Sequence, residues 1–233
     1  VELAVLTVPR GFPYLTQTVA SMLLGIGPGR IWMVCGSRDE SHLASLRHHR
    51  AIEVVSMSRE EAEVIAPWST QQKIAANFVR ALRAPPPDQD IVVAEDDIVV
   101  CDDWWGKAQA MCASAKLRYG TFVMRLWSVD PAEDEGAGYG VTVGSVYGGL
   151  LICVPAGVRT ALAESVWTYS AVGDVEAHDV SFMAFCDKQG IPLLTSNRSL
   201  AQHVGIVSTH EGIRREHAKS HTFGRTASDD ADF

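Results

Sequence analysis

Short unbroken apolar runs alternate along this chain with stretches whose apolar residues fall three or four positions apart. Glu2–Val8 is β-rich and ends at Pro9-Arg10-Gly11. Leu15–Leu24 has helical spacing and is broken by Gly25-Ile26-Gly27-Pro28-Gly29. Ile31–Cys35 and Ile52–Val55 read as strands, with a helix expected over Ser41–His49 between them. A further helix starts after Pro67-Trp68-Ser69, with Ser69 as its N-cap and Ile74, Phe78 and Leu82 as its core stripe, and Pro85-Pro86-Pro87 ends it. Then follow an acidic strand over Ile91–Val100, a helix over Trp104–Tyr119 and a strand over Thr121–Leu126. Asp130–Gly144 holds five Gly or Pro residues and four acids, and is expected to be a mobile loop. Val146–Val154, Ile191–Thr195 and Leu200–Val207 read as strands, Ala156–Ser165 and His178–Gly190 as helices, and Gly190 as a C′ residue. Continuous apolar strands separated by helices predict an α/β fold, with a mostly parallel sheet covered by helices.

The stretch Ile91–Trp105, IVVAEDDIVVCDDWW, departs from this pattern. Glu95-Asp96-Asp97 interrupts an apolar run, and unpaired buried carboxylates would each cost on the order of several kcal/mol. A hard divalent cation is the simplest remedy. Side chains alternate along a strand, so Glu95 and Asp97 are expected on one face and Asp96 on the other, unless the strand has already ended. Asp97 is then the candidate cation ligand, and Asp96 a contact to a sugar hydroxyl or to a Lys or Arg. An ion-pair or loop role is the alternative. Asp102 and Asp103 are expected to cap the helix from Trp104.

Composition narrows the choice. Apolar residues make up 47% and charged residues 21%, the balance of a globular chain. The net charge of −8 argues against a nucleic-acid surface. No apolar run reaches membrane-spanning length, and the first residues read as a strand rather than a signal peptide. The five cysteines, at 35, 101, 112, 153 and 186, form no CxxC pair, so buried reduced thiols in a cytoplasmic protein are the plainest expectation.

The acidic stretch resembles the metal-binding segment of GT-A-fold glycosyltransferases. It is especially similar to the Glu-Asp-Asp version in N-acetylglucosaminyltransferase I-type enzymes. The resemblance continues in order: LTVPRGFPYLTQTVASML resembles the first strand and helix of that fold, and QQKIAANFVRAL the helix before the acidic strand. AHDVSFMAFCDKQGI is similar to the helix that carries the catalytic base in inverting members, and LAQHVGIVST to a late strand that gives some members a metal-ligand His.

The resemblance implies a single GT-A-like (Rossmann-like) domain over 1–213 with a tail or lid over 214–233. It also implies transfer of a sugar from a UDP-sugar to a hydroxyl acceptor, a small molecule or glycan, by an inverting route with Mn²⁺ or Mg²⁺ bound. Nucleotide contacts then fall to the turn Val8-Pro9-Arg10, to Lys73 and Asn77, to Asp96, and to Glu95 beside the metal. A solvated helix face is the alternative for Lys73 and Asn77. Gly148-Gly149 would admit the donor sugar close to the backbone, or is an ordinary bulge. His203 is a metal ligand, a diphosphate contact or a satisfied core histidine; as a ligand it favours Mn²⁺. Asp179 is the candidate general base, with Glu176 as the alternate and a helix N-cap as the plain reading. Arg214, Arg215 and Arg225 read as a solvated tail, or as a lid over the diphosphate. Trp104, Trp105, Trp127, Trp167 and Tyr147 are expected to be mostly core, with acceptor stacking as the other possibility. A retaining transferase, a sugar-phosphate nucleotidyltransferase and a non-catalytic metal- or carbohydrate-binding module complete the readings. The turn TVPRGFP, with one Gly and one Arg, disfavours the nucleotidyltransferase.

Overall fold

A computed structural model of the chain describes residues 1–9, 14–25, 29–127, 138–142, 151–172 and 178–204, with residues 25 and 178–180 as backbone only. An eight-stranded sheet runs through them in the order β3-β2-β1-β4-β8-β6-β9-β7. Its members are β1 (Glu2–Thr7), β2 (Ile31–Cys35), β3 (Ile52–Val55), β4 (Ile91–Glu95), β6 (Val123–Arg125), β7 (Tyr139–Val141), β8 (Leu151–Val154) and β9 (Leu193–Ser196). β1 pairs parallel with β2 and β4, β2 with β3, and β6 with β9. β8 runs antiparallel to both β4 and β6, and β7 antiparallel to β9. β1, β2, β3, β4, β6 and β9 therefore point one way, as the apolar runs predict for strands buried on both faces.

Helices cover both faces. On one side α1 (Tyr14–Gly25) and α4 (Trp104–Tyr119) contribute Val19, Met22, Trp104, Met111 and Cys112 to a core with Val5, Met33, Val92 and Cys153. On the other, α3 (Thr70–Arg83), α5 (Ala156–Val172) and α6 (His178–Gln189) pack Phe78, Leu162 and Phe182 against Val34, Val93 and Ile152. Ser69 caps α3 as expected, in a reciprocal box with Gln72. Gly190 takes φ 63° just past α6, as a C′ glycine does.

Some elements differ from expectation. The helix expected over Ser41–His49 shrinks to a single 3₁₀ turn, Ser41–Leu43, because only Leu43 there is buried. A short helix, α2 (Arg59–Ile65), stands where none is expected; its signal is the capping box of Ser58 and Glu61. Part of the expected 130–144 loop is instead strand β7, paired with β9; residues 128–137 and 143–150 lie outside the described residues. Asp103 occupies the N-cap position of α4, but with φ 51° and without a side-chain cap hydrogen bond. Its carboxylate instead overlies Gly106, where an added Cβ would stand 2.6 Å from Oδ1.

The passage from α3 into β4 is clamped from α5. The buried Arg159 guanidinium donates to the carbonyls of Leu82, Pro85, Pro86 and Gln89 at 2.6–3.0 Å. These carbonyls belong to the end of α3 and the proline segment, which have no ladder of their own to join.

Candidate active site

The acidic stretch is two strands joined by a turn. β4 ends at Glu95, Asp96-Asp97 turn, and β5 (Ile98–Val100) leaves the main sheet to pair with β10 (Ala201–His203). The face alternation expected through a continuous strand therefore lapses after Glu95. Asp96 and Asp97 are both buried, at 2% and 4% exposure, at the edge where the parallel strands end.

Polar groups from four elements hold this turn. The Thr7 hydroxyl, on the last residue of β1, donates to Asp96 Oδ2 at 2.7 Å, and the Val8 amide approaches the same oxygen at 3.4 Å. The His42 ring lies 3.2 Å from Thr7 Oγ1. Because Thr7 gives its proton to Asp96, the His42 Nε2–H must be the donor to Thr7. Burial lowers the His42 pKa, with Asp39 acting in the opposite sense, so the neutral ring suits this role. From α1, the buried Thr18 hydroxyl lies 2.8 Å from the Asp96 carbonyl and 2.6 Å from that of Ile98, and accepts the Ile98 amide at 3.2 Å. Ser21 Oγ accepts the Val100 amide at 3.3 Å, so α1 supplies β5 with the partners its free edge lacks.

The fourth element brings two distant residues together. In the antiparallel β5–β10 ladder His203 stands opposite Ile98, and the Val204 amide donates to the Asp97 carbonyl at 2.8 Å. His203 Nε2 thereby lies 3.3 Å from Asp97 Oδ2. Two ligands each about 2.1 Å from one octahedral cation lie about 3 Å apart, so this imidazole–carboxylate pair fits a shared divalent ion as well as a direct ion pair. Among the described residues no cluster of three or more His, Cys, Asp or Glu could hold a metal. A cation here would take two protein ligands and fill its remaining positions from solvent or substrate, as such ions commonly do.

The other expected site residues are scattered. Val8 and Pro9 follow β1 directly beside the turn. Asn77 belongs to the scaffold rather than to a solvated face: it is 5% exposed, Nδ2 donates to the Val34 carbonyl at 3.3 Å, and Oδ1 accepts from Arg80 at 3.1 Å. It stands behind the Val8 turn, since a Cβ on Gly36 would touch Val8 at 2.9 Å and Asn77 at 3.0 Å. Lys73, one turn earlier, is exposed. Arg10, Gly148, Gly149, Glu176, Arg214, Arg215, Arg225 and Tyr147 lie outside the described residues. Asp179 is described as backbone only, at the second position of α6. α6 leads into β9, which runs parallel to β4. Trp104, Trp105 and Trp127 are core, whereas Trp167 is half-buried against Trp68, ring centroids 5.1 Å apart.

Two residues at the site carry no signal in sequence. Thr7 and His42 become recognisable only because β1 and the 3₁₀ turn after β2 meet at Asp96. Thr7→Val should keep the side chain's volume and leave Asp96 Oδ2 without its hydroxyl donor, lowering unfolding free energy in urea by about 1–2 kcal/mol. An unchanged urea midpoint would mean that this bond contributes nothing net.

The fold has counterparts among solved structures. GalNAc-T7 with UDP, GalNAc and Mn²⁺ superposes with a TM-score of 0.61 over 92% of this chain and 45% of that one, at 12% identity. This is the GT-A fold. Mouse xyloside xylosyltransferase 1 in its apo form shares it at TM-score 0.50 and 9% identity, with 82% of this chain and 83% of that one covered. The 4-diphosphocytidyl-2C-methyl-D-erythritol synthase from Anaerococcus prevotii matches at 0.50 and 10% identity, over 85% and 88%. The GT-A architecture thus carries both sugar-transferring and nucleotide-transferring proteins among these neighbours. No protein-family model and no curated protein matches the sequence. No helix of the described residues is long and apolar enough to cross a membrane.

Proposed function

We propose that this chain is a nucleotide-sugar-dependent glycosyltransferase that binds a divalent cation through Asp97 and His203. The observation that carries the reading is the 3.3 Å approach of these two side chains beside the buried Asp96, at the C-terminal edge of a GT-A sheet. A divalent cation bound there supplies Lewis-acid neutralisation of the charge that develops on a departing diphosphate. Imidazole in the donor set favours Mn²⁺ over Mg²⁺.

The chain's own residues then divide the work. Asp96, fixed by Thr7 and the Val8 amide, orients a ribose or sugar hydroxyl, and Glu95 stands beside it at the end of β4. Val8, Pro9, Arg10 and Lys73 are the candidate nucleotide contacts, and Gly148-Gly149 the candidate donor-sugar contact. Asn77 acts behind the turn by holding the end of β2. Asp179, at the start of α6, accepts the acceptor hydroxyl's proton as the oxygen attacks the anomeric carbon, which inverts its configuration; Glu176 is the alternate base. UDP is the expected nucleotide, and the N-acetylglucosaminyltransferase I-type enzymes remain the model for the Glu-Asp-Asp turn.

UDP with Mn²⁺ should raise the melting temperature of the protein, and Asp179→Asn should keep that shift while sugar transfer to the acceptor is lost. Full transfer by Asp179→Asn moves the base to Glu176 or replaces inversion by retention. The absence of a shift with every nucleoside diphosphate tested removes the transferase reading. The 4-diphosphocytidyl-2C-methyl-D-erythritol synthase neighbour motivates one second reading, nucleotidyl transfer on the same fold. Release of pyrophosphate from a nucleoside triphosphate and a sugar phosphate, with no hydrolysis of any UDP- or GDP-sugar, would select it.

A further inference from the structure

We propose that Cys112 and Cys153 are a disulfide-forming pair that staples helix α4 to the central strand β8. The two residues are 41 positions apart and share no sequence motif, yet their sulfurs lie 2.6 Å from each other. Both are buried, at 3% and 1% exposure, on the face of the sheet that α4 covers. A covalent S–S bond is about 2.05 Å long, so closure needs the sulfurs to move by only about half an ångström. Cys153 stands in the middle of the sheet, opposite Val92 of β4 and Met124 of β6, and Cys112 is in the middle of α4. A bond between them would join the helix that follows the carboxylate turn to the strand beside β4. The pairing stands apart from the glycosyltransferase reading, since neither sulfur belongs to the candidate site.

The chemistry balances with a small-molecule disulfide such as oxidised glutathione as the oxidant. Two thiols lose two protons and two electrons as the Cys112–Cys153 bond forms. The oxidant's S–S bond breaks and takes them up as two reduced thiols. The nucleophile in such exchange is a thiolate. In the folded protein the hydrogen bond that holds the Cys153 proton against Cys112, together with burial, pushes the Cys153 thiol well above its ordinary pKa. Exchange is therefore slow once the core has closed. The bond forms as the chain folds, and afterwards resists reductants until the chain is unfolded.

The test counts thiols on the full chain, refolded from its reduced, denatured state in a mixed oxidised and reduced glutathione buffer. After alkylation of accessible thiols and denaturation, three of the five cysteines should titrate as thiols. Peptide mapping should find one cross-link, between the Cys112 and Cys153 peptides. The oxidised protein should melt about 10 °C above the fully reduced one, as closure of a loop of this length predicts. Cys153→Ser should remove the cross-link and that difference, leaving four thiols; Cys112→Ala serves the same purpose if that variant does not fold. Five thiols in the oxidised wild-type protein, or cross-links spread over the other cysteines, overturn the proposal and return all five to the reduced state expected from their spacing.

Discussion

Asp97→Ala is expected to abolish the stabilisation of the protein by UDP with Mn²⁺ and to lower kcat/KM for sugar transfer on the order of 10²–10³-fold. A metal that neutralises a leaving diphosphate contributes several kcal/mol, and each 1.36 kcal/mol is tenfold in rate, so an effect on the order of 10²–10³-fold follows. The control is Asp97→Asn, which keeps a side-chain oxygen able to accept from His203 Nε2 at the observed 3.3 Å. It removes the charge a hard cation needs. Asp97→Asn should therefore fold as stably as the parent without metal and still lose the Mn²⁺ response. If both variants keep that response, the pair is an ordinary buried ion pair and Asp97 is not a ligand. His203→Ala should weaken Mn²⁺ binding less than either, because one carboxylate and the substrate's oxygens remain.

Arg159→Met should be the most damaging substitution away from the site. The methionine keeps much of the apolar stem, while four carbonyls lose their charged donor. Hydrogen bonds to charged groups contribute about 1.5–3 kcal/mol each and are not additive, so a loss of about 3–5 kcal/mol is expected. For a domain of this size that is about 6–20 °C in Tm. The damage should not stop at stability, because these carbonyls lie between α3 and β4, and β4 delivers the carboxylate turn. Arg159→Lys should recover only part of the loss, since an ammonium offers three donors from one point where the guanidinium spans four acceptors. A Tm within a degree of the parent for Arg159→Met would show that the segment 82–89 holds its shape unaided.

Both predictions turn on groups read differently from sequence and from structure. Asp97 stands out in a single dimension, because a carboxylate between two apolar runs conflicts with burial wherever it lies. Arg159 lies in an otherwise ordinary helical stretch, and nothing there distinguishes a solvated arginine from one inserted among carbonyls some seventy residues away. Asn77 misleads in the opposite direction. Its spacing with Lys73 allows a solvated helix face, yet Asn77 turns inward, and Arg80 beside it does the same, to the carbonyls that end β2 and β3. Strand ends leave acceptors unfilled, and a neighbouring helix can fill them with residues that a hydropathy pattern assigns to solvent.

What the sequence determined by itself was the alternation of elements and the presence of carboxylates within an apolar run. β2 and β3 are found with the residues predicted and α4 with its predicted span, because their apolar residues are closely spaced and their ends are marked. The parallel sheet follows from strands that need burial on both faces. Tertiary structure alone decided which carboxylates meet which partners. A turn after Glu95 sends β5 out of the main sheet, and its pairing with β10 sets His203 beside Asp97 across a separation of about a hundred residues. Register between distant strands is a property of the closed ladder. No local propensity encodes it, so the acid was legible along the chain and its companion was fixed only by the fold.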